Sequence, residues 1–128
     1  MAVQANYKGV RVSPRKVSVV AALVRGRSVA DAVVILDHTP RRAAGAVKKA
    51  VVSARANAEH NHSYKPDSLY ISEISVTPGP RFKRYRPAAR RMALPYQHKT
   101  SHIKVIVDGQ KRVVKKPAPE VKKEPQVE

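Results

Sequence analysis

The chain has 128 residues and carries 26 Lys and Arg against 9 Asp and Glu, which gives a formal net charge of +17 at pH 7. This length allows one domain with a modest core, and such a charge indicates a partner of dense negative charge, nucleic acid first and an anionic membrane surface second. No run of about 18 apolar residues, no signal-peptide pattern and no cysteine occur, so we expect a cytosolic protein without membrane spans, disulfides or thiolate metal sites.

The N-terminal segment predicts a short strand and then a helix. Apolar residues alternate loosely up to residue 12, with a break at Gly9. Ser13 and Pro14 are typical of a helix start, because serine is a good N-cap and proline loses no hydrogen bond at the first helical position. Gly26 marks the predicted end of this helix. Its apolar side consists of Val17, Val20, Ala21 and Val24.

Two more helices are predicted next. Ser28 and Asp31 form an S-x-x-D capping box, followed by the apolar stripe of Val29, Ala32, Val33 and Leu36. Thr39 and Pro40 repeat the cap-and-proline signal and predict the start of the longest helix, which ends near residues 61–63. One side of that helix is apolar and rich in alanine: Ala43, Val47, Ala50, Val51, Ala54 and Ala58.

Residues 69–76 and 101–107 alternate as strands and are predicted to pair antiparallel. Roughly 20 residues separate them, many more than the 2–5 of a common hairpin loop, and the four prolines in this stretch exclude a central strand. We therefore predict a two-stranded ribbon over residues 78–98 that turns near residues 87–91 and projects on the order of 30 Å. The predicted fold class is α+β, with three helices packed on a small antiparallel sheet and a long protruding basic β-hairpin.

The domain organisation follows from composition. Residues 1–108 are predicted to form one globular domain that includes the hairpin, and residues 109–128, rich in Pro, Lys and Glu, a disordered tail. The ribbon has no apolar face long enough to pack on the core. Ordering it costs about 1–2 kcal/mol per residue, so we expect it to be mobile in the free protein.

The ribbon is the strongest functional signal. Between Glu73 and Asp108 there is no acidic residue, whereas eight Lys and Arg occur. Phe82, Tyr85 and Tyr96 are interleaved with these cations, a pattern typical of proteins that stack bases on aromatic rings and bind phosphates with Lys and Arg. An ordinary basic loop is the alternative, but its length and lack of acids favour nucleic acid. More cations flank the first helix: Lys8, Arg11, Arg15, Lys16, Arg25 and Arg27.

Catalysis and metal binding have little support. Glu59, His60 and His62 form one group of potential ligands, and His98 with His102 another, but zinc needs three or four converging ligands. No nucleophile elbow, Gly-rich phosphate loop or apolar pair of carboxylates occurs. We therefore predict no enzyme activity, no cofactor and no metal. Two alternatives stay open, a DNA-bending architectural protein with a basic β-arm and a metal-dependent nuclease.

Four segments resemble the bacterial large-subunit ribosomal protein twenty-two family, in the right order and spacing. They are SPRKVSVVAALVRGRSVADAVVIL from residue 13, SARANAEHN from 53, GPRFKRYRP from 79 and KTSHIKVIV from 99. The resemblance implies a structural constituent of the large ribosomal subunit that binds its RNA, assists assembly and lines the polypeptide exit tunnel with its hairpin tip. The implied partners are large-subunit ribosomal RNA, neighbouring ribosomal proteins and the nascent polypeptide, and we expect a monomer when free.

The predicted RNA-binding residues combine the basic sets with positions that match the family's motifs. They are Arg11, Ser13, Arg15, Lys16, Arg25, Arg27, Asn57, Asn61, Arg81, Lys83, Arg84, Arg86, Lys99, Thr100, Ser101 and His102. The predicted tunnel tip is Pro87, Ala88, Ala89, Arg90, Arg91 and Met92. At the tip the chain departs from the family pattern, because Arg91 replaces a glycine and Ala88 and Met92 replace arginines. The turn at the tip, which uses glycine in the family, must therefore form here without glycine.

Overall fold

A computed structural model describes residues 2–112. It contains strand β1 (Val3–Val10), helices α1 (Pro14–Val24), α2 (Val29–His38) and α3 (Arg42–His62), and strands β2 (Tyr70–Pro87) and β3 (Ala93–Asp108). Short 3-10 turns precede β2 at Pro66–Ser68 and join β2 to β3 at Ala89–Arg91. None of the helices in this part of the chain is both long and apolar enough to cross a membrane.

The three strands form one antiparallel sheet in the order β1-β3-β2, so β3 is central. Val107 of β3 pairs with Val3 on one side and with Ile71 on the other. The predicted antiparallel pairing of residues 69–76 with 101–107 is therefore confirmed. One face of the sheet is buried, and the other is polar and exposed, as is usual for antiparallel sheets, with Gln4, Asn6 and Lys104 on the surface.

The core lies between the three helices and the buried face of the sheet. The apolar side of α1 predicted from the sequence is buried, and so are the alanines of α3, whose small side chains allow close helix packing. Burial of each Val or Ile contributes about 1.5–3 kcal/mol relative to an exposed position. The large, fully buried aliphatic residues are Val17, Val20, Val24, Val29, Val47, Val51, Leu69, Ile71, Ile74, Ile103, Val105 and Val107.

The helix starts agree with the predictions in part. The Asp31 amide donates to Ser28 Oγ at 3.1 Å, so the predicted cap of α2 is confirmed, whereas Ser13 is the N-cap residue of α1 without a capping hydrogen bond from its side chain. The prediction that Thr39 starts α3 is wrong by two residues. The Thr39 hydroxyl instead donates to the Ile35 carbonyl at 2.6 Å and closes α2, and α3 begins at Arg42.

Residues 109–112, assigned to the tail from the sequence, lie against the loop before β2. The Lys65 amide donates to the Gln110 carbonyl at 2.9 Å, and the Arg112 amide donates to the Ser63 carbonyl at 2.7 Å. These bonds extend the packed domain four residues past β3. The remainder of the predicted tail, residues 113–128, lies outside the described residues.

Candidate nucleic-acid interface

The arm begins where β1 ends. β1 pairs with β3 only as far as Val10 opposite Ser101, and beyond that point β3 pairs with β2 alone. In the core, the loop between α1 and α2 covers the outer edge of β2, because the Gly26 amide donates to the Ile71 carbonyl. Residues 78–100 therefore form an uncovered two-stranded ribbon, which is the arm, and the predicted hairpin is confirmed.

Cross-strand pairing gives the arm two different faces, because residues directly opposite each other lie on the same side of a ribbon. Because side chains alternate along a strand, residues 97 and 99 of β3 lie on the same side as the core-facing residues 101 and 103. We call this side of the arm the inner face, since it is the side of the sheet on which the helices pack. The inner face holds the pairs Arg81–Lys99, Lys83–Gln97 and Tyr85–Pro95. The outer face holds Phe82–His98, Arg84–Tyr96 and Arg86–Leu94.

The outer face is a row of planar groups. The Arg86 guanidinium lies 5.2 Å from the centroid of the Tyr96 ring, and the Tyr96 ring meets the His98 ring edge to face at 5.2 Å. Phe82 is 41% exposed and Tyr96 is 36% exposed, so both rings remain available to a partner. Aromatic rings and guanidinium groups presented this way are surfaces on which unpaired bases stack.

A cleft lies at the base of the arm, the root cleft, with a volume of about 670 Å³. One wall is the returning strand of the arm at residues 97–100, and the other consists of the β1–α1 loop and the start of α3. Five cations and no acidic residue line it: Arg11, Lys16, Arg41, Arg42 and Lys99. Within residues 2–112 the one ion pair is Lys48–Asp37, so none of the five cations is neutralised by a carboxylate there.

Three strands meet at the root of the arm through two bulges. The Gly9 amide donates to His102 Nδ1 at 3.0 Å, and the Thr100 hydroxyl donates to the Pro80 carbonyl at 2.7 Å. A Cβ on Gly79 would lie 2.5 Å from Thr100 Oγ1 and 3.1 Å from the His102 ring. Only glycine therefore lets the strands approach this closely, and these contacts set the direction in which the arm leaves the domain.

The tip closes with a turn from Ala88 to Met92. The Ala88 amide donates to the Met92 carbonyl at 2.8 Å, and the Met92 amide donates to the Ala89 carbonyl at 3.3 Å. Arg90 and Arg91 inside the turn have φ values of 57° and 56°. The turn thus uses the left-handed backbone that glycine favours although Arg91 occupies the position, at a cost of about 1–2 kcal/mol per residue.

The ribosomal protein L22p/L17e family matches residues 5–108 of the chain. The chain is also 47% identical over 104 residues to the large ribosomal subunit protein uL22 of Lactobacillus helveticus, which covers 81% of this chain and 89% of that protein. The protein of the same name from Oceanobacillus iheyensis is 47% identical over 111 residues, 87% of this chain and 98% of that protein. That of Clostridioides difficile is 46% identical over 111 residues, with 87% and 100% covered.

This chain belongs to the ribosomal protein L22p/L17e family. The resemblance of the four sequence segments to this family is confirmed. A member of this family is a structural constituent of the ribosome and not an enzyme. Among residues 2–112, no group of three His, Asp or Glu side chains is arranged to hold a metal ion.

The structure brings together most of the predicted cationic residues of this family member. Arg11, Ser13, Lys16, Lys99 and Thr100 line the root cleft. The predicted arm cations are all exposed, at Arg81, Lys83, Arg84 and Arg86. The predicted tip residues Pro87, Ala88, Ala89, Arg90, Arg91 and Met92 all lie in or beside the turn of the arm.

Other predicted residues lie elsewhere or are covered. Arg25 donates to the Ile74 carbonyl and Arg27 to the Leu23 carbonyl, so both guanidinium groups also bind the fold itself. Arg15, Asn57 and Asn61 lie on α1 and α3 and do not line the root cleft. Three members of the returning strand are covered: Thr100 and Ser101 are buried, and His102 is half-buried against Gly9 and Gly79.

Sequence reasoning missed four residues of the interface: Arg41, Arg42, Gln97 and His98. A local signal existed for the first two. The first turn of α3 contains no acidic residue and carries arginine instead, although carboxylates stabilise that end of a helix and cations do not. Such an inverted charge pattern makes the start of α3 strongly positive.

Proposed function

We propose that this chain is an RNA-binding constituent of the large ribosomal subunit and that the arm is the part that enters folded ribosomal RNA. One observation carries the proposal. The arm contains seven Lys and Arg and no Asp or Glu, and all seven cations are exposed. A segment of this charge is unfavourable in isolation and is stabilised where several RNA phosphates crowd together.

The two faces of the arm would contact different chemical groups of the RNA. The inner face, with Arg81, Lys83 and Lys99, neutralises phosphates, and this binding is independent of base sequence. The outer face, with Phe82, Tyr96 and Arg86, offers rings and a guanidinium plane on which splayed bases stack. The free arm is mobile, and RNA fixes it by supplying contacts on both sides that the domain does not provide.

The remaining partners are those that membership of the family implies, and a domain with one projecting arm is compatible with them. The domain docks on the subunit surface beside neighbouring ribosomal proteins, and the tip at residues 87–92 reaches the polypeptide exit tunnel, where it faces the nascent polypeptide. Arg90 and Arg91 present two guanidinium groups there. The protein is a monomer when free, contacts no membrane and resides in cytoplasmic ribosomes.

The proposal is tested by reversing the charge of the arm. The variant Lys83→Glu/Arg84→Glu/Arg86→Glu should fail to enter large subunits and should remain in the free protein fraction of a sucrose gradient. Lys49→Glu/Arg55→Glu/Lys65→Glu is a matched control, because it changes the net charge equally at exposed positions outside the arm and the root cleft. The control should sediment with the large subunit.

Two results would contradict the proposal. One is normal incorporation of the arm variant into large subunits. The other is a preference of the purified protein for duplex DNA over structured RNA, combined with dimer formation, which is the behaviour of a DNA-bending protein with paired arms.

A further inference from the structure

The root cleft is electrostatically unfavourable in the isolated chain. Its five cations come from separate parts of the fold, the β1–α1 loop, the start of α1, the start of α3 and the returning strand of the arm. Within the described residues, none of these side chains forms an ion pair or a hydrogen bond to another group. Since the fold holds these like charges close together and no acidic group in the described part of the chain neutralises them there, a bound anion would lower the free energy of the arrangement.

Two helices begin at this cleft, and both add positive potential to it. Ser13 is the N-cap residue of α1 and Arg41 is that of α3, and neither side chain caps its helix. The first turns of both helices lack acidic residues. Free amide groups at helix starts carry partial positive charge and bind anions, so they reinforce the five side chains.

We infer that the root cleft binds consecutive phosphates of one RNA strand and thereby joins the arm to the domain. The ligand is a strand rather than a single anion, because a phosphodiester carries one negative charge and five cations surround the cleft. The strand would join two parts of the protein, because residues 97–100 of the arm form one wall and residues 41–43 of α3 belong to the other. This inference rests on the proposed RNA-binding function and adds a second site to it, at the junction between the arm and the domain.

The first test is a titration of the full-length ¹⁵N-labelled protein with hexauridylate, followed by NMR. The amides of residues 11–13, 15, 16 and 41–43 should shift at concentrations of hexauridylate at which inorganic phosphate has no effect. If inorganic phosphate shifts them at the same concentration, the cleft is a site for a single anion only and the inference is overturned.

The second test measures the salt dependence of hexauridylate binding in Arg41→Gln/Arg42→Gln. Each phosphate neutralised on a single strand contributes about 0.7 to the slope of log K against log salt, so the slope should fall by about 1.4. The loss of affinity relative to the wild type should then be about 25-fold greater at 0.1 M salt than at 1 M. The control Lys49→Gln/Arg55→Gln removes the same charge from exposed positions of the same helix and should retain the wild-type slope.

The outcomes separate this inference from the proposed function. Equal slopes for the cleft variant and its control would overturn the inference. Shifts confined to residues 81–96 would also overturn it while leaving the RNA-binding arm in place. The absence of any shift, in the arm and in the cleft alike, would overturn both.

Discussion

Replacement of Gly79 by alanine tests whether the root of the arm is as closely packed as the structure indicates. The new Cβ would lie 2.5 Å from Thr100 Oγ1, which is too close for any real contact. Thr100 is 4% exposed and its hydroxyl is bound to the Pro80 carbonyl at 2.7 Å, so this side chain must leave its hydrogen bond to make room. The displaced hydroxyl thereby loses its acceptor at a position that is largely buried.

The expected loss of stability follows from these contacts. Leaving a buried hydroxyl without its partner costs about 1–3 kcal/mol. Because alanine restricts the unfolded chain more than glycine does, the substitution also raises the free energy of unfolding by about 0.4–1 kcal/mol. We therefore expect Gly79→Ala to lower the free energy of unfolding by about 1–2 kcal/mol, measured by urea denaturation followed by circular dichroism.

A double-mutant cycle with Thr100→Ala separates this packing effect from a general effect on the strand. In the Thr100→Ala background the clashing hydroxyl is gone, so only the entropic gain and the contact with the His102 ring remain, and Gly79→Ala should change stability by less than about 1 kcal/mol. The coupling between the two positions should then be about 1–2 kcal/mol. The reasoning is refuted if Gly79→Ala costs nothing, or if it costs the same amount in both backgrounds.

Three further predictions concern other parts of the molecule. Gly45→Ala on α3 should raise the free energy of unfolding by about 0.8–1 kcal/mol, because its Cβ meets open space and alanine favours the helix; an unchanged or lower Tm would contradict this. Arg91→Gly should slow amide exchange at Ala88, which the turn protects, since glycine adopts the left-handed backbone freely; faster exchange would count against strain at the tip. In filter binding to single-stranded RNA, Phe82→Ala/Tyr96→Ala should weaken affinity by about 1–3 kcal/mol per stacked base without changing the salt slope, whereas Arg81→Gln/Lys83→Gln should lower the slope by about 1.4. Equal slopes for the two pairs would disprove the assignment of the faces.

The elements that the sequence predicted well are those whose signals are local. The spacing of Val17, Val20 and Val24 predicts the buried side of α1, and Ser28 with Asp31 predicts the cap of α2, since both patterns span only a few residues. The arm was also predictable, because prolines and an acid-free run exclude a core strand. The start of α3 was misplaced because Thr39 can bond either to the helix before it or to the helix after it, and sequence alone does not decide which.

The parts of the interface that escaped prediction depend on contacts between distant segments. Gly9 and His102 are 93 residues apart, and only the pairing of β1 with β3 brings the amide of one to the imidazole of the other. The root cleft likewise requires that the start of α3 face the returning strand of the arm. Thr100 and Ser101 were predicted to bind RNA from a family motif, and their burial is visible only when the sheet is assembled.

The one-to-one pairing from Arg81–Lys99 to Pro87–Ala93 has a consequence for how the length of the arm can vary. Residues can be inserted into or deleted from both strands in equal number without disturbing the sheet beneath, because no other element pairs with this stretch. Adding two residues to each strand leaves every side chain on its original face. Adding one residue to each strand moves every side chain between the insertion and the tip to the opposite face. The reach of the tip can therefore be adjusted in steps of about 6–7 Å while the domain stays the same.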